Sequence, residues 1–243
     1  MAQTFKVLSA LLSYPTAELK QAAPALKAAL EAEALLPPRV ATMVARLIDD
    51  LASHELTDAQ ERYVFLFDRT RSLSLHLFEH VHGESRERGQ AMVDLLQLYE
   101  RHGLFLTARE QPDYLPLFLE FLSTQPLGEA RALLAQPLHI VSALVDRLRK
   151  RDSIYEGALR ALEALAKDAG AADELVVLPE VAQDDPNDLA ALDRAWADEP
   201  VTFGPRTNGT NGASGCGRAS EMLARMGNAP APPTPRPTKG ESR

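Results

Sequence analysis

The sequence predicts an all-α protein: a single-domain multi-helix bundle over residues 1–200, followed by a disordered tail over residues 201–243. Three observations carry this. Apolar residues recur at i, i+3, i+4 and i+7 through most of the first 170 residues. Alternating apolar/polar runs are essentially missing, with "ELVVLP" the one weak strand candidate. Glycine is absent before Gly83 and concentrates from Gly204 onward, where seven of the 13 lie.

The elements follow in order. "TFKVLSALL" sets Phe5, Leu8, Leu11 and Leu12 at helical spacing and stops before Pro15. "TAELKQAAPALKAALEAEALL" is helical by propensity, with a break at Pro24. "PPRVATMVARLIDDLASH" aligns Val40, Val44, Leu47, Ile48 and Leu51 in one stripe, and Pro38 suits its first turn. "TDAQERYVFLFD" opens with a capping-box pattern, Thr57 followed by Gln60. "ESRERGQAMVDLLQLYERHG" places Met92, Leu95, Leu96 and Tyr99 on one face and ends at Gly103, a C-cap glycine. "DYLPLFLEFLS", "GEARALLAQ", "PLHIVSALVDRLRKR" and "YEGALRALEALAK" read as further helices, and "PNDLAALDRAWAD" as a last amphipathic one. The total is roughly eight to ten helices. The Gly/Pro/Asn-rich tail buries too little apolar surface to offset its ordering entropy, apart from one short helix at Ala219–Met226.

Composition narrows the function classes. Apolar content of 45% with 25% charge is ordinary for a soluble globular chain, and aromatics at 6% leave a core of Leu, Ala and Val. The single cysteine, Cys216, excludes an internal disulfide and a cysteine-only metal site within one chain. No signal peptide and no membrane-spanning run is legible, so the expected compartment is the cytoplasm, without membrane insertion. From Val201 onward six Lys/Arg face two Asp/Glu, a charge of +4, whereas the rest carries 20 basic and 32 acidic residues, a charge of −12. An acidic body argues against nucleic acid as a partner and suits a basic one. GxGxxG, P-loop and GxSxG signatures are absent.

One stretch departs from this background. In "SLHLFEHVHGESRERGQAM", residues 74–92, three histidines, three glutamates and two arginines crowd around Gly83. Set on one helix at about 100° per residue, Leu73 to His82 would form a wide apolar arc with a narrow stripe of His76, Glu79 and His80. Gly83 would end that helix, and Glu84 or Ser85 would cap the next. Four readings stay open from the residues alone. His76 and His80 one turn apart, with Glu79, His82 or Glu84, could chelate a metal, although the zincin HExxH spacing is not met. Acid–base catalysis would need a nucleophile, and only the unmarked Ser74 and Ser85 are at hand. The stripe beside apolar surface could hold a peptide. Or the histidines are buried, hydrogen-bonded residues joining helices.

The stretch "RYVFLFDRTRSLSLHLFEHVHGESRERGQAMVDLLQLYERHGL", followed by "PDYLPLFLEFLS", resembles the NarJ family of assembly chaperones, also called the nitrate reductase delta subunit. The opening "VLSALLSYPTAEL" fits as well, so the resemblance covers roughly residues 4–170. It implies an all-helical protein similar to the TorD and DmsD maturation chaperones, and not an enzyme. Such a chaperone binds the apo catalytic (alpha) subunit of membrane-bound nitrate reductase, in part through its N-terminal segment. It holds that subunit in the cytoplasm until the molybdenum cofactor and iron–sulfur cluster are in place, needs no cofactor itself, and has cofactor-delivery proteins as further expected partners. On this resemblance, Tyr63, Phe67 and Tyr114 are expected to line an apolar groove, and Asp68, Glu79, Glu84 and Glu120 to meet basic groups of the client. His76, His80 and His82 would be the pH-responsive part, with binding strengthened as pH rises from about 6 to 8. Arg69, Arg86 and Arg88 would orient the carboxylates. For the three aromatics, plain core packing is the competing expectation.

Overall fold

The computed structural model describes residues 2–82, 86–106 and 110–167. The weak strand "ELVVLP", the helix expected over "PNDLAALDRAWAD", the boundary near residue 200 and the tail all lie outside them.

The described residues form eleven α-helical segments and no strand. In chain order these are α1 (Gln3–Leu12), α2 (Ala17–Gln21), α3 (Ala23–Glu33), α4 (Pro38–Ser53) and α5 (Leu56–Tyr63). A π-turn (Val64–Asp68) and a 3₁₀ turn (Arg71–Leu73) follow. Then come α6 (Glu79–His82), α7 (Arg86–Arg101), α8 (Leu115–Thr124), α9 (Leu127–Ala135), α10 (Leu138–Lys150) and α11 (Glu156–Lys167).

The apolar stripes decide the packing. Phe5, Leu8, Leu11 and Leu12 are buried on α1, which runs along α8 and its buried Phe118, Leu119 and Leu122. The buried Ser9 hydroxyl donates to the Pro116 carbonyl at 2.7 Å and ties the two helices further. The carbonyl-poor start of α1 is capped from a distance: Glu33, at the end of α3, accepts from the backbone N–H and the hydroxyl of Thr4, each at 2.7 Å. Helix α11 packs against α4, α9 and α10. Its Gly157 lies so close to Met43 that an added Cβ would sit 2.9 Å from the Met43 carbonyl carbon.

Most helix ends match the sequence pattern, and the exceptions have local causes. Pro24 sits in the first turn of α3 just after α2 ends, so the break precedes the proline. Gly103 has φ +77° and closes α7, and the Leu104 N–H returns to the Tyr99 carbonyl at 3.0 Å. The capping box at Thr57 is not formed. Helix α5 begins earlier, at Leu56, and the Gln60 side chain donates to the Pro15 carbonyl at 2.9 Å instead. On α7 Leu98 joins Leu95 and Tyr99 in the core, while Met92 and Leu96 are half-buried.

Candidate functional site

Leu73–His82 do not form one helix, which corrects the expected His76/Glu79/His80 stripe. After the 3₁₀ turn the chain is non-helical from Ser74 to Phe78. His76 pairs antiparallel with Tyr114 as an isolated bridge, with Leu115 N–H donating to the Leu75 carbonyl at 2.8 Å and Leu77 N–H to the Asp113 carbonyl at 3.0 Å. Only Glu79–His82 is helical. Leu73, Leu75 and Leu77 are at most 2% exposed, and the intervening Ser72 and Ser74 are buried as well, at 1% and 6%, so the segment is packed on both sides.

Asp113 holds the segment in place. Its side chain is fully buried. One carboxylate oxygen accepts from His76 Nδ1 at 3.2 Å, and the other accepts from the Phe78 backbone N–H at 3.0 Å. Arg88 on α7 donates to Glu79 at 3.3 Å and to Gln111 at 2.9 Å, and stands 3.9 Å from Asp113. So His76, Glu79, Arg88 and Tyr114 of the expected residues converge, around a carboxylate that the sequence reading did not single out. Asp113 lies directly after Pro112 in a turn, a setting in which Asp side chains bond nearby backbone, and that was the available signal.

The histidines have opposite environments. The hydrogen bond that His76 donates to Asp113 raises the His76 pKa above its ordinary value, against burial and helped by the charges of Asp113 and Glu79. The His76 ring rests on Tyr114, centroids 5.3 Å apart. Burial lowers the pKa of His80. Its Nε2–H donates to the Ser74 carbonyl at 2.8 Å, and its Nδ1 accepts from Arg147 at 3.4 Å, which assigns the neutral Nε2–H tautomer. Arg147 also donates to the Ser72 carbonyl at 2.6 Å. With both His80 nitrogens engaged, the His76–Glu79–His80 chelate is not formed. Among the described residues no group of three His, Cys, Asp or Glu is arranged to hold a metal ion. Ser74 is buried, its hydroxyl accepting from the His76 N–H at 3.2 Å, a structural rather than nucleophilic setting.

Tyr63 and Phe67 are 3% and 5% exposed. They stack at 5.0 Å and both meet the buried Tyr155, so they present core rather than surface. The Tyr63 hydroxyl donates to the Leu12 carbonyl at 3.0 Å and therefore accepts from Tyr114, 2.8 Å away. Burial pushes the Tyr63 phenol far above its ordinary value. Tyr114 is half-buried, Asp68 is exposed, and Arg69 is half-buried at the end of the π-turn. Glu120 is exposed on α8, and among the described residues its carboxylate makes no bond to the Asp113 cluster. His82 closes α6 and Arg86 opens α7, while Gly83, Glu84 and Ser85 lie outside the described residues.

This architecture has relatives. Residues 15–161 match the protein family described as nitrate reductase delta subunit. The chain is 44% identical over 199 residues to the nitrate reductase molybdenum cofactor assembly chaperone NarJ of Escherichia coli K12, covering 81% of this chain and 83% of that protein. It is 40% identical over 202 residues to the same organism's "Probable nitrate reductase molybdenum cofactor assembly chaperone NarW", covering 83% and 84%. It is 34% identical over 167 residues to the "Probable nitrate reductase molybdenum cofactor assembly chaperone NarJ" of Bacillus subtilis, covering 69% and 90%.

Proposed function

The chain belongs to the nitrate reductase delta subunit family, and from that premise we propose that it is a dedicated chaperone of a membrane-bound nitrate reductase. It is not an enzyme; its close relatives are assembly chaperones rather than catalysts. In this reading it binds the apo catalytic (alpha) subunit, in part through that subunit's N-terminal segment. It retains the subunit in the cytoplasm while the molybdenum cofactor and iron–sulfur cluster are inserted, before docking at the membrane, with cofactor-delivery proteins as transient partners. The observation that carries this is the length of the relationship, which extends over four-fifths of this chain and of the Escherichia coli chaperone. The physical features agree with it. The first 200 residues carry a charge of −12, which suits a basic client segment. No helix among the described residues is long and apolar enough to cross a membrane.

A pull-down from cells expressing the catalytic subunit tests the role. The chaperone should capture the cofactor-free subunit stoichiometrically and release it once it is mature. Equal capture of mature and apo subunit, or of neither, would sink the proposal. Repeating it with the chain cut after Pro200 separates the body's contribution from that of the tail.

A further inference from the structure

Tyr14 is 46% exposed, one of three large apolar side chains left so among the described residues. It stands on the α1–α2 connection and borders a cleft of about 760 Å³. Its ring is seated edge-on against the buried Tyr63 at 5.7 Å, and the Gln60 bond to the Pro15 carbonyl holds the connection that carries it. The half-buried Val64 and Phe65 of the π-turn continue the apolar lining, and the half-buried Arg69 lies at the far end. Asp58 and Glu61, one turn apart on α5, border the cleft as well. Both are exposed, and among the described residues neither has an ion-pair partner; Arg62, beside them, is committed to Asp50. The described residues thus leave an apolar surface with an uncompensated acidic rim uncovered.

The chain carries a cover of matching chemistry. Two stretches outside the described residues have apolar residues at helical spacing, and their charges separate them. Residues 187–198 bring Leu189, Leu192 and Trp196 to one face, but Asp188, Asp193 and Asp198 stand there against Arg194 alone. Asp58 and Glu61 would repel that stretch. Residues 218–226, "RASEMLARM", place Ala219, Met222, Leu223 and Met226 at i, i+3, i+4 and i+7. At about 100° per residue these four span an arc of roughly 100°, and Arg218 and Arg225 both fall on one flank of it, against the single Glu221. An apolar arc edged by two arginines fits an apolar cleft edged by two carboxylates. As a helix the nine residues are about 13 Å long, and the wall from Asp58 to Arg69 is roughly 16 Å long at about 1.5 Å per residue, so the lengths agree.

We propose that residues 218–226 cover this cleft within the same chain, their apolar arc on Tyr14 and Phe65, and Arg218 and Arg225 against Asp58 and Glu61. The bundle thereby closes its own cleft, and any molecule admitted there has first to displace the tail. Tethering makes so short a contact effective. Fifty residues, 168–217, join Lys167 to Arg218. They reach roughly 170 Å at full extension, so every face of the bundle is accessible to the tail. A tether supplies an effective concentration on the order of millimolar, so a contact too weak to hold two separate molecules together closes within one. The two methionines suit the role, because their flexible side chains adapt to irregular apolar surface. The inference stands apart from the chaperone reading, since it concerns only contacts of the chain with itself.

Cys216, the single cysteine, lies two residues before Arg218 and provides the probe. With a nitroxide attached to it in the full chain, NMR relaxation enhancement should be strongest at the amides of Tyr14, Asp58, Glu61 and Phe65. Met222→Asp with Leu223→Asp should reduce that enhancement about threefold or more, and Asp58→Lys with Glu61→Lys should do the same, as expected for lost apolar contact and reversed charge pairs. Adding Arg218→Glu and Arg225→Glu to the Asp58→Lys/Glu61→Lys chain should restore it, which a merely misfolded variant would not do. The substituted carboxylates are exposed, so melting curves of the variants should coincide with the wild type. Enhancement that is unchanged in either double variant overturns the proposal. So does enhancement centred on the acidic residues 168–200 instead of the cleft. Enhancement that appears when a nitroxide-labelled chain is mixed with an isotope-labelled chain lacking the nitroxide would assign the cleft to the tail of a second copy and overturn it as well.

Discussion

Replacing Asp113 should unfasten the segment that carries His76 and Glu79. Its buried carboxylate accepts from the Phe78 N–H at 3.0 Å and from His76 Nδ1 at 3.2 Å. Asp113→Ala leaves a buried N–H without an acceptor, at about 1–3 kcal/mol, and removes a charge-assisted bond worth about 1.5–3 kcal/mol. Together these give a loss of roughly 3–5 kcal/mol, in line with breaking a buried ion pair from one side. At about 2–4 °C per kcal/mol for a chain of this size, the melting temperature should fall by roughly 10 °C. Asp113→Asn keeps one acceptor and the shape, so its cost should be smaller, about 1–2 kcal/mol.

The pH dependence gives an independent check. His76 is raised in the folded state, so its contribution is complete below the ordinary histidine pKa of about 6.5. It declines as pH rises through the folded-state value. The stability gap between wild type and Asp113→Asn, measured by urea unfolding, should therefore narrow as pH rises above about 6.5. The NMR titration midpoint of the His76 imidazole should fall in the variant. An Asp113→Ala loss below about 1 kcal/mol, or an unmoved His76 midpoint, would refute the assignment of Asp113 as the anchor.

Three further outcomes follow from neighbouring contacts. His80 is lowered by burial, so its imidazole should stay neutral to lower pH than an ordinary histidine, and the stability it supplies should be complete above the ordinary value of about 6.5 and lost as pH falls from there through its folded-state pKa; its NMR titration reads this directly. Glu33→Gln should cost about 1 kcal/mol by loss of the charged distal cap on α1. Burial raises Glu33, but the Thr4 and Gln3 bonds outweigh it and hold its pKa below the usual carboxylate value, so the wild-type advantage in urea unfolding should fade as pH drops below about 4.5. Gly157→Ala should destabilise by about 1–3 kcal/mol, because the new methyl meets the Met43 backbone rather than a movable side-chain end; thermal unfolding would show it.

The division between what was legible in the chain and what was not runs along interaction range. Helix positions such as Gln3–Leu12, Pro38–Ser53 and Leu138–Lys150 were readable because the 3.6-residue stripe, the proline starts and the Gly103 stop are local codes. The family was readable from one long contiguous stretch. The non-helical run at Ser74–Phe78 also carries a local mark, Leu75 and Leu77 alternating with Ser74 and His76, but the same letters fit a helical spacing equally well. What no window of sequence contained is the partner of that run. Asp113 lies 37 positions from His76, and it is their bond, made across the fold, that leaves His76 inclined to be charged. Burial likewise decided that Tyr63 and Phe67 are core, and that His80 is a neutral strut between Ser74 and Arg147. Residue type and spacing determined the helices and the class of protein. Which titratable groups keep their water, and therefore what they can meet, was settled only by the packing of one helix against another.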